Sequence, residues 1–412
     1  MISYQAALRL ILDHCDALPP VQTKLRQLLG TAPIDNIRSQ MNVPSFNNSA
    51  MDGYALHADD SQGATAEHPV ELIVCGMVAA GQTPGSVEAG QAMEIMTGAP
   101  LPDNCDAVIP VERVTIATTG EQSVIRLSDS AHAGQNVRLA GQDFEQDQTL
   151  FYQGSNLEPH HLMGLAATGT DSLDVREQPR IALITTGSEL AQEGVTEGTS
   201  LIRDSNGPYL RACFEHMGIE VISNHSTSDD PQALQQAIDD ASQVADIVLT
   251  TGGVSAGRYD LVPGAINALG GETLFHKVSI RPGKPLLFAR MKNGALFFGL
   301  PGNPIAVAVG LRFFVIPAIR ALQGLKPETA LHSVCESDME SKRELTFFGK
   351  ARVNVDTDGR LITTLLPGQE SFKINSLMQA NCWIIVPENI ETLAAGDQVE
   401  IVPLYPDALK VS

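Results

Sequence analysis

The chain has 412 residues, 43% of them apolar, with 35 glycines and a formal net charge of −21. Its length exceeds one ordinary domain, so two to four folded units are expected, and its composition excludes a disordered chain. The acidic balance excludes general nucleic-acid binding, because most of the surface repels phosphates; an anionic substrate needs a local positive patch.

In chain order, residues 3–29 read as one or two helices, with Ala6, Ala7, Leu10 and Ile11 at helical spacing and Pro19-Pro20 as an interruption. From about Met51 to Leu139 the texture changes to short alternating runs: Val70–Cys75, Met93–Met96, Ala107–Val111 and Val124–Leu127. These predict a small β-rich domain. Residues 156–170 are expected to be helical and lead to a boundary at Gln178-Pro179. Beyond it, strands Ile181–Thr185, Glu220–Ile222 and Ile247–Thr250 alternate with helical stretches Pro208–Met217 and Pro231–Ser242. Such alternation predicts a parallel sheet with crossover helices. The apolar stretch Ile305–Leu322 closes the unit as a buried helix, too short and too interrupted by Arg312 and Pro317 to span a membrane. Strands return at Phe347–Val355, Leu361–Leu366, Cys382–Val386 and Gln398–Val402, giving a small C-terminal β-domain.

Chemistry concentrates in three glycine-bearing turns of the α/β segment. They are Thr-Thr-Gly-Gly-Val-Ser-Ala-Gly-Arg-Tyr-Asp (250–260), Arg-Pro-Gly-Lys-Pro (281–285) and Leu-Pro-Gly-Asn-Pro (300–304). Thr-Thr-Gly also follows a strand at Thr185–Gly187. Ligands of open α/β sheets bind outside the carboxyl ends of the strands, so all these turns are expected on one edge. Gly252 and Gly253 let backbone N–H groups approach an anion, and Thr251 and Ser255 add hydroxyls. Asp260 can hold a hard cation such as Mg²⁺ against phosphates, although a structural turn with a solvated aspartate accounts for the same residues. On a continuous strand Lys277, Ser279 and Arg281 share one face, beside a turn carrying Lys284; charge alternation on an exposed edge strand is the alternative. Asp52, Asp143, Glu189 and Asp229 also sit at turns, where Asp-Gly and Asp-Pro pairs form turns for structural reasons alone. Asp229 is besides a candidate cap for the helix starting at Pro231.

The six cysteines, Cys15, Cys75, Cys105, Cys213, Cys335 and Cys382, are scattered, which argues against a zinc or iron–sulfur site and a disulfide framework. No positive flank leads into an apolar run near the first residue. A reduced, cytoplasmic protein is expected.

Seven motifs in order resemble one known family over essentially the whole chain. They are Pro44–Ala55 (Pro-Ser-Phe-Asn-Asn-Ser-Ala-Met-Asp-Gly-Tyr-Ala), Ile95–Pro102, Asp106–Glu112, Thr185–Leu190 and the three turns above. The family is that of the molybdopterin molybdenumtransferases (MoeA, with the E domains of gephyrin and plant Cnx proteins). The resemblance implies the last step of molybdenum cofactor synthesis: molybdate is inserted into adenylylated molybdopterin and AMP is released. It implies an elongated, multidomain homodimer of α/β plus β class. Residues 1–50 and 140–178 form a helical and linker dimerisation unit, and 51–139 an inserted β-rich domain. Residues 179–325 form a three-layer, mostly parallel molybdopterin-binding domain, and 326–412 a barrel-like β-domain. The active site lies at the dimer interface, the Asp52 segment of one protomer facing the α/β domain of the other.

Carried over by motif, Asp52, Asp143, Glu189, Asp229 and Asp260 match the family's functional carboxylates, with Asp229 and Asp260 serving Mg²⁺ and nucleotide phosphate. Lys277, Arg281 and Lys284 match its basic trio. Ser255, Lys284 and Pro285 lie where molybdate contacts are expected. Thr251, Gly252, Gly253, Pro301, Gly302 and Asn303, with Ser371 and Ser376 of a later loop, are expected to bind the cofactor. The implied protein partners are the molybdopterin adenylyltransferase and molybdoenzyme chaperones, with neither nucleic acid nor membrane. Two departures bear on oxyanion affinity and on molybdate against tungstate. Arg281 stands where the family often has lysine, and Phe348-Gly349-Lys350 replaces a segment that often supplies arginine, leaving Lys350 as the substitute. A pterin-binding scaffold without metal insertion, as in the gephyrin branch, is the alternative function.

Overall fold

A computed structural model of the protein describes residues 1–187, 190–191, 202–227, 230–254, 261–341 and 344–406. The predicted alternation builds a six-stranded sheet in the spatial order Val221–Thr227, Ile181–Thr186, Ile247–Thr251, Leu296–Leu300, Leu287–Arg290, Glu272–His276. The first four strands are mutually parallel; Leu287–Arg290 runs antiparallel to them, and the edge strand Glu272–His276, antiparallel to that neighbour, runs the same way as the first four. Strands buried on both faces must be apolar throughout; Ile181–Ile184 and Ile247–Leu249 meet that demand, each residue at most 1% exposed. One face packs against Leu210 and Phe214 of the helix Asn206–His216 and against residues 305–322. The other packs against Leu234 and Ile238 of Pro231–Val244 and Val262 and Ile266 of Val262–Ala268. The result is the three-layer arrangement expected.

The helix Pro304–Leu322 runs 19 residues and suits a membrane span by length and composition, yet 89% of its most apolar 18-residue stretch is buried inside the protein, so it is a core helix. Its middle turn, Leu311–Val315, is π-helical and ends two residues before Pro317. A widened turn there tolerates the N–H that proline lacks.

The N-terminal reading needs correction. Only Tyr4–Leu12 is an α-helix, capped by Ser3, whose hydroxyl accepts from the Ala6 N–H. Residues Pro20–Lys24 form a strand antiparallel to Ser172–Arg176. Pro19-Pro20 and the β-branched Val21 and Thr23 disfavour helix, and pairing with a distant segment decides the outcome. Ala7 and Ile11 are fully buried in the α/β core, and Tyr4 meets the rings of Phe313, Phe314 and Phe348 edge-on. Residues 53–127 form the β-rich unit, a six-stranded sheet.

Near the carboxyl end, Thr346–Val355, Leu361–Leu365, Leu331–Cys335, Gln398–Pro403 and Cys382–Val386 follow one another around a sheet. The sheet closes through pairing of the first with the last, a five-stranded barrel. It is joined firmly to the α/β domain. Phe313 stacks on Phe348 at 4.0 Å, and the buried Arg312 donates to both carboxylate oxygens of Glu328 (2.7 and 3.0 Å) and to the Pro403 carbonyl (2.9 Å). The α/β chain also lends the barrel a strand: Ile280–Arg281 pairs parallel with Thr346–Phe347.

Candidate active site

The strand register lines up the turns. Ile184 is level with Thr250, Thr250 with Gly299, Gly299 with Leu287 and Leu287 with His276. The segments that follow Ile184, Thr250, Gly299 and His276, and the one that precedes Leu287, therefore meet along one edge of the sheet, as the repeated Thr-Thr-Gly and the switch-point rule predict.

At that edge the backbones touch. Gly252 donates its N–H to the Leu300 carbonyl (2.9 Å), and the Thr186 hydroxyl donates to the Thr251 carbonyl (3.1 Å). Gly252 and Gly253 have φ of +92° and +67°, and a Cβ on Gly252 would lie 2.8 Å from Thr186 Oγ1. Only glycine fits there. Two helix N-termini open on the same edge. One, at Asn206, is capped by Asp204, which accepts from the Asn206 and Gly207 N–H groups, and Asn206 reaches the Gly302 carbonyl (2.8 Å). The other follows Pro301-Gly302-Asn303 at Pro304. The Asp204 carboxylate already fills the first of these ends, so the helix dipole favours an anion chiefly at the second.

The basic turn is not the continuous strand expected. The strand ends at His276, and Lys277 has φ of +79°, so Lys277, Ser279 and Arg281 do not share a strand face. A loop wins because Lys277 N–H bonds the Leu286 carbonyl and Val278 N–H the Lys284 carbonyl, which closes residues 277–286 on themselves. Between these residues Val278 and Ile280 are at most 1% exposed and anchor the loop. Lys284 and Arg281 are exposed and Lys277 is half-buried. Among the described residues none of the three forms an ion pair with a carboxylate; the Arg281 guanidinium lies 5.7 Å from the Phe347 ring centre. Three such cations in a protein of charge −21 are a local positive patch. Pro285 lies between Lys284 and the buried Leu286, at the foot of the same loop.

The barrel supplies the opposite wall. A cleft of about 590 Å³ is lined by Arg281, Asp338, Gly368, Gln369 and Glu370 among others. The Ser371 carbonyl accepts from the Ile305 N–H (3.0 Å), in the first turn of the helix after Asn303, so this loop sits on the third glycine turn. The Ser376 hydroxyl is buried and donates to the Gly368 carbonyl (2.8 Å).

Lys350 does not replace the missing arginine as an anion contact. Its side chain is fully buried, and Nζ donates to the carbonyls of Gly368 (2.7 Å), Lys373 (3.1 Å) and Glu370 (3.4 Å). Burial pushes the amine down to about 8, against the raising effect of the Glu370 charge. The residue shapes the loop instead of facing solvent. Lys350 shares its strand face with Phe348 and the exposed Arg352, outside the barrel core of Phe347, Ala351 and Val353, so strand alternation does not announce its burial.

Asp52 and Asp143 bond within the N-terminal part of the chain. Asp52 Oδ1 accepts from both the N–H and the hydroxyl of Thr97 (2.7 Å each), and these bonds, the hydroxyl's first, hold its carboxyl below the usual range. Thr97 lies within the Ile95–Pro102 motif, whose spacing alone assigns it no role. Asp143 is exposed, and its N–H bonds the Val43 carbonyl (2.9 Å). Glu189, Asp229, Ser255 and Asp260 lie outside the described residues. Among those described, no group of three or more His, Cys, Asp or Glu is placed to hold a metal ion.

Three family models match in succession: the MoeA N-terminal region (domain I and II) over residues 2–169, a "probable molybdopterin binding domain" over 182–321, and the MoeA C-terminal region (domain IV) over 333–404. A molybdopterin molybdenumtransferase of Synechococcus elongatus is 34% identical over 409 residues, covering 97% of this chain and 99% of its own length. A molybdopterin molybdenumtransferase 2 of Mycobacterium tuberculosis is 32% identical with the same coverage. The crystal structure of a molybdopterin biosynthesis MoeA protein from Pyrococcus horikoshii matches with a TM-score of 0.80 at 27% identity, covering 98% of this chain and all of the other. With its whole length matched and its glycine turns gathered on one strand edge, the chain belongs to the MoeA family of molybdopterin molybdenumtransferases, transferases of molybdenum cofactor biosynthesis.

Proposed function

We propose that the protein inserts molybdate into adenylylated molybdopterin and releases AMP. The observation that carries this reading is the cluster of Lys277, Arg281 and Lys284, without carboxylate partners among the described residues, on the edge where two helices begin. Oxyanions are bound by charge-assisted hydrogen bonds, so these cations hold molybdate and the pyrophosphate link. Gly252 and Gly253, with Thr251, allow the backbone close to the pterin phosphate, and Pro301, Gly302 and Asn303 present the second helix start. Ser371 reaches the same place from the barrel loop, with Ser376 behind it. In the step itself water cleaves the phosphoanhydride bond to give AMP and molybdopterin phosphate, and the two dithiolene thiols replace one oxo group of molybdate, which leaves with their protons as water.

The reading also includes a homodimer, in which the Asp52 and Asp143 segments of one protomer face the α/β edge of its partner, with residues 1–50 and 140–178 as the dimerisation unit. The remaining units are 51–139, 179–325 and 326–412. Glu189, Asp229, Asp260 and Ser255 complete the site. Mg²⁺ belongs to Asp229 and Asp260 in this reading, where it neutralises phosphate charge; it rests on the family resemblance. A cytoplasmic location, and hand-over to pathway partners, follow from the same resemblance.

The test is reconstitution. Purified protein given adenylylated molybdopterin, molybdate and Mg²⁺ should activate an apo-molybdoenzyme. Pterin binding without activation would favour the scaffold role.

A further inference from the structure

We propose that His276 is a positioning residue that ties the Gly252–Val254 turn to the basic turn beginning at Lys277. The inference rests on the proposed function for its consequence, but its geometry stands alone.

Val254 is fully buried, and a Cβ on Gly299 would lie 2.6 Å from Val254 Cγ1. The chain leaving Ile247–Thr251 therefore bends across its neighbour strand, over the one position in the register row that has no side chain. That bend carries the Val254 carbonyl past two intervening strands, Leu296–Leu300 and Leu287–Arg290, toward the edge strand Glu272–His276. There His276, the last residue of Glu272–His276, meets it: Nε2 lies 2.8 Å from the Val254 oxygen. A carbonyl only accepts, so Nε2 is the protonated nitrogen whatever the charge of the ring.

The next residue is Lys277, whose positive φ and backbone bond to Leu286 start the basic loop. One side-chain bond thus links the arm of unusual glycine geometry to the arm of positive charge. The two arms leave the sheet from non-adjacent strands, so strand pairing does not fix their separation directly. A catalytic site tolerates displacements of well under 1 Å before rates fall, which gives such a tether a functional consequence.

The variants are His276→Phe, which keeps a ring and removes the donor, and His276→Gln, whose amide returns an N–H near the Nε2 position. Amide hydrogen exchange of Gly252 to Val254 is measured on each full-length protein, together with kcat and KM for adenylylated molybdopterin. The expected result is faster exchange and a KM raised about tenfold in the Phe variant, with kcat less affected and both recovered in the Gln variant. Unchanged exchange in the Phe variant overturns the tether. Faster exchange with unchanged KM overturns its role in positioning. If the wild-type protein shows no turnover, the proposed function fails while exchange still decides the tether.

Discussion

Lys350 Nζ lies 2.7 Å from the Gly368 carbonyl oxygen, and two further carbonyls of the same loop complete its hydrogen bonds. A buried amine that gathers three carbonyls acts as the core of the loop. Replacing it leaves those acceptors without donors, at about 1–3 kcal/mol for a buried unsatisfied group. Lys350→Met should lower stability by that order in urea unfolding. It should also weaken molybdate binding, since the loop it organises carries Ser371 onto the Ile305 N–H. Unchanged molybdate affinity would separate the loop from the oxyanion site.

The same lysine has a pH signature. Its folded value of about 8 lies below the ordinary 10.5 because burial disfavours the charged form. Between those values the unfolded chain holds the proton and the folded chain does not, so stability rises with pH. Below about 8 both states are charged, and the full cost of burial is present. Relative to Lys350→Met, the wild-type protein should gain stability as pH rises from 8 to 10.5. Urea midpoints at several pH values within and below that window measure the difference.

Asp52 accepts two bonds from Thr97, which lower its carboxyl from the usual value. A depressed carboxylate contributes stability above its ordinary value and loses it as pH falls through the folded one. Thr97→Val should therefore raise the Asp52 titration point in carboxyl-resolved NMR and blunt acid sensitivity. If Asp52 serves the partner's site, turnover should fall while pterin binding to the α/β domain holds.

Gly299 is a packing requirement of the site. Its added Cβ would meet Val254 Cγ1 at 2.6 Å and Leu287 Cβ at 3.3 Å. Gly299→Ala should cost about 1–3 kcal/mol through overpacking, measured by thermal or urea unfolding. It should also displace Val254 from His276, so its KM for adenylylated molybdopterin should rise as in His276→Phe.

Much of this was legible in the sequence. Strands such as Ile247–Thr251 and Cys382–Val386 announce themselves because burial on both faces demands unbroken apolar runs. The glycine turns were legible because positive φ and close backbone approach select glycine. What escaped has a common cause. Pro20–Lys24 is a strand only because Ser172–Arg176 pairs with it, far along the chain. Lys277 breaks a pattern that looked continuous because its loop bonds to itself through Leu286 and Lys284. Lys350 was read as an anion contact because charge in a sequence does not reveal which way the side chain points. Long-range pairing and side-chain direction are set by tertiary context, which local spacing does not carry.

The central claim is that this strand edge performs metal transfer. The most direct measurement is AMP released from adenylylated molybdopterin by the purified protein, with and without molybdate, in the presence of Mg²⁺. Molybdate-dependent AMP release that is abolished when Lys277, Arg281 and Lys284 are replaced together is the predicted result. Tight pterin binding with no AMP released at any molybdate concentration would contradict it.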